Sequence, residues 1–187
     1  MKNWIALGFI ACLLLLINGC IPSIHPLYTQ KDLIKDDRIV GTWGEAPKKQ
    51  WIFKALSNKS YGLSYSDEEV EDKFVTHLLK LGDNYYLDFY PQEDHKEADA
   101  HTILGYMTQL PVHNFAKLEI NETQIQMHFF DTEWLEKLFE QRKIRIKHEK
   151  TSNYILLTAP TKDLQQFILK YADEEAAYSK TIILNKQ

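Results

Sequence analysis

Short runs of alternating apolar and polar residues repeat along most of this chain, and they constrain its fold more than any other feature. From Ile39 onward the runs are rich in aromatic and β-branched residues, and turn-forming residues separate them. Successive side chains of a strand point to opposite faces, so this period of two predicts strands with one buried face. We predict strands at about 39–44, 50–56, 60–66, 73–81, 84–90, 102–110, 113–120, 123–130, 144–149, 153–158 and 181–185.

Two segments show a helical period instead. One begins at Asp131 or Thr132 and places apolar residues on a single face, namely Trp134, Leu135, Leu138 and Phe139. The other follows Pro160, with apolar residues at spacings of three and four, namely Leu164, Phe167, Ile168 and Tyr171. Many short strands linked by small turns favour an antiparallel meander, which closes into a barrel and so leaves no exposed edge. The predicted fold class is therefore mainly β with a few helices (α+β), as a closed or half-open barrel.

The N-terminal segment has a different composition. Lys2 precedes an uncharged run of 14 residues from Trp4 to Ile17. Such a run is shorter than the roughly 20 residues that a membrane-spanning helix needs, and it is typical of a signal peptide. We predict that residues 1–19 are a processing signal outside the fold.

The sequence Leu16-Ile17-Asn18-Gly19-Cys20 resembles the lipobox of bacterial lipoproteins. This resemblance implies that Cys20 is acylated on its sulfur with chains such as palmitate and becomes the mature N-terminus. Residues 20–28 would then form a lipidated tether, and residues 29–187 a single β-rich globular domain. Because Ile21 is not an aspartate, the resemblance implies the outer membrane if the host has two membranes. The alternative is an unmodified cysteine after an ordinary secretory signal.

Cysteine content and charge exclude several classes of protein. Cys12, the only cysteine besides Cys20, lies inside the predicted signal, so the mature chain would form no intramolecular disulfide and no thiolate metal site. The formal net charge of −4 argues against nucleic acid as a partner and against electrostatic adhesion to anionic lipid. We also predict no cofactor.

The triplet from Gly41 to Trp43 resembles a motif of lipocalin-like proteins. In that family a short helix leads into the first strand through Gly-x-Trp, and the indole closes the floor of the barrel. We predict the preceding helix from Lys31 to Asp37, because Thr29 and Asp32 are spaced as a capping box. The alternative is that Trp43 is a core residue at the start of any β-domain. The stretch from Ser23 to Trp43 also resembles uncharacterised bacterial lipoproteins, which implies no activity.

Aromatic residues are the candidates for ligand binding, since they could line a ligand cavity. Trp51 and Phe53 follow Trp43 at inward positions, and Tyr61 and Tyr86 complete the predicted set. The same side chains could instead fill a core, because aromatic residues dominate protein interiors. Further aromatic residues share this ambiguity, namely Tyr65, Tyr85, Phe89, Tyr90 and Tyr106.

Histidines offer little evidence of catalysis. His95 and His101 bracket Glu97 and Asp99, which could hold a divalent ion, but the spacing matches no known motif and a solvated loop is commoner. We predict no metal site. His77 and His113 are predicted to be packed or capping histidines, since no partner nucleophile is identifiable. The sequence also contains no nucleophile elbow, no zinc-binding helix motif and no phosphate-binding glycine loop. No catalytic residue is predicted.

These observations lead to one expectation with two alternatives. The chain is expected to be an envelope lipoprotein, attached to the membrane through its N-terminal lipid, that binds a small apolar or amphipathic ligand. The first alternative is a scaffold lipoprotein that presents a binding face to another envelope protein. The second is a hydrolase whose active site is assembled from distant strands.

Overall fold

The computed structural model of the protein describes residues 21–46, 49–67, 70–92, 110–151 and 154–187. Eight strands form a closed antiparallel barrel in the order β1-β10-β7-β6-β5-β4-β3-β2, and β8 and β9 form a separate hairpin. The bounds are β1 Gly41–Ala46, β2 Lys49–Ala55, β3 Tyr61–Asp67, β4 Val70–Leu81, β5 Asn84–Pro91, β6 Asn114–Ile120, β7 Gln124–Phe130, β8 His148–Lys150, β9 Ile155–Leu157 and β10 Tyr178–Lys186. The predicted mainly β fold with an antiparallel meander barrel is confirmed.

Two α-helices follow the seventh strand, α1 at Thr132–Glu140 and α2 at Thr161–Lys170. Asp131 caps α1 as predicted, because its carboxylate accepts the backbone N–H of Trp134. Across the described ranges, no helix has both the length and the apolar character that crossing a membrane requires.

Alternation along the strands creates two apolar cores. Inward side chains such as Leu87 and Met127 fill the barrel, whereas outward ones such as Leu79 and Tyr86 lie under a covering layer. That layer consists of the N-terminal segment, the two helices and the β8–β9 hairpin. Neighbouring residues of one strand thus belong to different cores, which ties the covering layer to the barrel.

The predicted helix from Lys31 to Asp37 is wrong. Thr29 and Asp32 do make the expected contact, since the Asp32 carboxylate accepts the N–H of Thr29, but only one turn follows. The backbone then pairs with β4, where Ile34 N–H donates to the Leu78 carbonyl. These bonds replace the helical ones, and a 3₁₀ helix at Asp37–Ile39 alone precedes β1.

The segment 20–28, predicted to be a tether, is folded from residue 21 onward. Ile21 is 4% exposed and Leu27 is fully buried in the outer core. Ser23 pairs with both His113 and Leu157, so the chain forms a strand-like link between the barrel and the β8–β9 hairpin. The two prolines of this segment favoured a tether, whereas the burial of its apolar side chains holds it in the fold.

Other predictions differ in extent or cannot be compared. The strand predicted at 144–149 is only His148–Lys150, because residues 143–147 have no regular secondary structure. The strand predicted at 102–110 lies almost entirely outside the described residues, as do Cys12, Cys20 and the predicted signal.

Candidate functional site at the mouth of the barrel

One end of the barrel is closed by packed side chains. Ile39, in the 3₁₀ helix, is fully buried, and its carbonyl accepts the indole N–H of Trp43 at 2.8 Å. Gly41 links this helix to β1 with φ of +139°, a conformation that favours glycine. The Lys186 ammonium lies 5.2 Å from the centre of the Trp43 ring, so a cation from β10 covers the indole.

Aromatic rings surround the other end. They come from the ends of strands β2, β3, β5 and β7 and from the first half of β4, namely Trp51, Tyr65, Phe74, Phe89 and Phe129. We call these five residues the aromatic collar. Ring centres are 4.9 Å apart for Trp51 and Tyr65, and 6.1 Å for Phe89 and Phe129. Such spacings are those of interacting rings, and Phe74 also contacts Phe89, so the collar consists of two groups of packed rings.

Trp51 carries a hydrogen-bond donor that no described residue uses. Its side chain is 8% exposed, and Nε1 is buried without a hydrogen-bond partner among the described residues. An unsatisfied buried donor costs about 1–3 kcal/mol. A bound molecule that offers an oxygen acceptor at this point would remove that cost.

Charged side chains border the collar. Lys49 Nζ lies 3.1 Å from the Asp67 carboxylate, and the Tyr65 hydroxyl donates to the same carboxylate at 3.2 Å. Apolar rings below a polar rim match a molecule with an apolar body and a polar head.

The five residues predicted to bind ligand lie in three places. Trp51 belongs to the collar, and Trp43, Phe53 and Tyr61 lie deeper inside the barrel. The Tyr61 hydroxyl accepts the N–H of Asp36 at 2.8 Å, and burial raises the pKa of Tyr61. Tyr86 lies outside the barrel interior: it precedes the inward Leu87 by one position and therefore faces the outer core.

No known protein family, curated protein or solved structure matches this chain. Its function is therefore inferred from the geometry of its own residues.

A buried ionisable pair lies on the outer side of β5. Asp88 is fully buried, and its carboxylate contacts His113 Nδ1 at 2.7 Å and accepts the N–H of Leu27 at 2.8 Å. Tyr90 stacks on His113 with ring centres 4.6 Å apart. Asp88 therefore holds the N-terminal segment to the barrel.

His77 lies beside this pair on β4 and is stacked on Tyr28, with ring centres 4.4 Å apart. Burial lowers the pKa of His77, the neighbouring Asp88 carboxylate raises it, and His113 lowers it further. Burial also raises the pKa of Tyr28. The group has the residue types of a catalytic site, yet its contacts attach the N-terminal segment.

A groove of about 370 Å³ lies on the outer side of β6, β7 and β10. In it Lys117 donates to the Ala172 carbonyl at 2.9 Å and lies 3.7 Å from Asp173. The Tyr178 hydroxyl also donates to Ala172, and burial raises the pKa of Tyr178 to about 12. These polar groups already bind the loop after α2, which indicates a structural role.

Metal-binding potential can be assessed only in part. Across the described ranges, no group of three or more histidine, cysteine, aspartate or glutamate side chains could hold a metal ion. His95, His101, Glu97 and Asp99, and also Tyr106, lie outside the described residues.

Sequence reasoning missed two members of the collar. Phe74 shares its strand face with Leu78, so the period of two could have assigned it to the interior, whereas Phe129 follows the apolar face of Met127 but was not predicted to bind ligand. It also missed Asp88, whose signal was a carboxylate between Leu87 and Phe89 in an otherwise apolar run.

Proposed function

We propose that this protein is a lipid-anchored component of the bacterial envelope that binds a small amphipathic ligand at the aromatic collar. The observation that carries the proposal is the collar itself, with its buried Trp51 N–H, to which the described part of the chain offers no acceptor, beneath a charged rim. The ligand would place its apolar part against the rings and an oxygen acceptor near Trp51 Nε1.

The deeper barrel limits how far a ligand would enter. Trp43, Phe53 and Tyr61 are at most 1% exposed and already fill the interior toward the closed end. Barrels of eight strands are just wide enough for side chains to fill. The binding mode is therefore a shallow one, in which the collar holds one end of the ligand.

A fluorescent fatty acid, cis-parinaric acid, tests this site. Titration of the full-length protein should give saturable binding, and Trp51→Phe should weaken it by about tenfold, because that variant keeps an aromatic ring but loses the donor. Trp134→Phe, in the outer core, is the matched control and should bind like the unaltered protein. Equal affinities for the two variants and the unaltered protein would contradict the role of Trp51.

The anchor is tested separately by Cys20→Ser. We expect this variant to move from the membrane fraction to the supernatant, since attachment through more than one acyl chain depends on the thiol. Unchanged fractionation would contradict acylation as the means of attachment.

Side chains already fill the barrel interior toward its closed end. This favours a second function, that of an envelope scaffold whose outer surface binds another protein. Native mass spectrometry of the protein purified from its host separates the two. A small bound mass that is lost on unfolding supports the ligand carrier. A bare protein that also fails to take up cis-parinaric acid supports the scaffold.

A further inference from the structure

The chain contains a basic segment that its overall charge conceals. Five of the nine residues from Arg142 to Lys150 are lysine or arginine and one is glutamate, a net charge of +4 in a chain whose formal net charge is −4. The low overall charge predicted no attraction to anionic lipid, but charge gathered on one segment acts locally.

Three of these cations lie on the same side of the irregular stretch that precedes β8. Lys143, Arg145 and Lys147 are exposed, whereas Ile144 and Ile146 between them pack against the outer core. Exposed and half-buried side chains alternate from residue 143 to residue 147, so the three cations share the outward side. None of the three has an ion-pair partner among the described residues.

This stretch lies close to the N-terminal segment. The Leu157 carbonyl of β9 accepts the N–H of Ile24, and the Lys147 carbonyl accepts the N–H of Thr158, the next residue. Ile24 and Lys147 therefore flank β9 at nearly the same level, two strand spacings or about 10 Å apart. Ile24 is 40% exposed, so an apolar side chain adjoins the cations.

From these positions we propose that Lys143, Arg145 and Lys147 form a contact surface for the phosphate groups of anionic lipids in the membrane that holds the N-terminus. The inference rests on the anchoring part of the proposed function. Each cation near an anionic membrane strengthens binding by about fivefold, and an acyl anchor keeps the surface within reach of the headgroups.

Lysine footprinting tests this surface. The full-length protein is placed in phosphatidylcholine nanodiscs with or without about one-third phosphatidylglycerol. Its lysines are then acetylated, and peptide mass spectrometry measures the labelling rate of each. Lys54, exposed on β2 across the barrel, is the internal control.

We expect Lys143 and Lys147 to be labelled at least about threefold more slowly in anionic nanodiscs, and about 0.5 M salt to restore the rate. Lys54 should be labelled equally in both nanodiscs. Arg145→Gln should weaken the protection of the two lysines, and Lys54→Gln should not. The proposed contact surface would be overturned if Lys143 and Lys147 were labelled equally in both nanodiscs. It would also be overturned if anionic lipid slowed the labelling of Lys54 by the same factor.

The same digests give the mass of the peptide that contains Cys20. This mass tests the acyl anchor independently of the basic surface. Acylated Cys20 with equal lysine labelling would overturn the basic surface alone. Unmodified Cys20 with lipid-dependent labelling would overturn the acyl anchor and leave the surface supported.

Discussion

Asp88 shows how one buried carboxylate fixes the position of a whole segment. It is fully buried and contacts both the Leu27 backbone and the His113 ring. Leu27 precedes β5 in the sequence, and His113 follows it. A charge buried in this way is tolerated because hydrogen bonds and a basic partner compensate its lost hydration.

Asp88→Asn should lower the free energy of unfolding by about 2–4 kcal/mol, because it removes the charge that His113 and the Leu27 N–H contact. Urea denaturation at neutral pH measures the effect. Asp83→Asn, in the exposed β4–β5 turn, is the control and should change stability by less than about 0.5 kcal/mol. Equal stability of the two variants would show that the buried contacts contribute little.

His77 should make stability depend on pH. Burial lowers its pKa in the folded protein, whereas the unfolded residue takes up a proton near pH 6.5. The unfolded state then binds more protons below about pH 6.5, so the free energy of unfolding falls as the pH decreases toward the lower, folded pKa. Three ionisable groups face this ring from the neighbouring elements, namely Tyr28, Asp88 and His113.

His77→Gln should reduce the loss of stability between pH 7 and about pH 5.5, measured as the shift in the urea midpoint. The exposed His25→Gln is the matched control. A pH dependence that His77→Gln leaves unchanged would assign the effect to other groups.

At the scale of the element, β10 completes the barrel by pairing with both β1 and β7. Its residues alternate sharply: Leu184 is fully buried and the adjacent Ile183 is 44% exposed. The strand therefore offers neighbouring apolar positions that differ mainly in which face they occupy.

Leu184→Ala should destabilise the protein by about 2–4 kcal/mol through the cavity it leaves in the barrel. Ile183→Ala should cost less than about 1 kcal/mol, since only strand propensity is lost. Thermal or urea unfolding of the two variants measures the difference. Comparable losses for both would mean that β10 does not close the barrel with this register.

The elements also show what the sequence could predict. The strands and the two α-helices were predictable from local periodicity, because each element buries one face and its apolar residues recur with the period of that element. The helix at 31–37 and the tether at 20–28 failed, since pairing with β4 and with His113 comes from residues far away in sequence. Trp51 was predictable from its spacing after Trp43, whereas the collar needed the closed barrel to bring five strands together.

For the whole molecule, the barrel and its covering layer should unfold as one unit. β5 supplies Leu87 to the inner core and Tyr86 to the outer core, so neither core can loosen without moving the strands they share. Small single domains with such shared elements unfold in one cooperative transition.

Two probes can test this cooperativity. In Trp134→Phe, fluorescence of the folded domain reports Trp43 and Trp51 inside the barrel, and far-ultraviolet circular dichroism reports the helices as well. We expect coincident urea midpoints from both probes. Loss of helical signal at lower urea would show that the covering layer separates first.

The burial of Ile21 also limits how far the domain can stand from a surface. If Cys20 is acylated, a single peptide unit joins the lipid to a residue already held in the fold, and one extended residue spans only about 3.5 Å. The domain is then held within a few ångströms of the lipid, and it cannot reach across an aqueous compartment as a lipoprotein on a long linker does. Whatever it binds must come to the leaflet on which it stands.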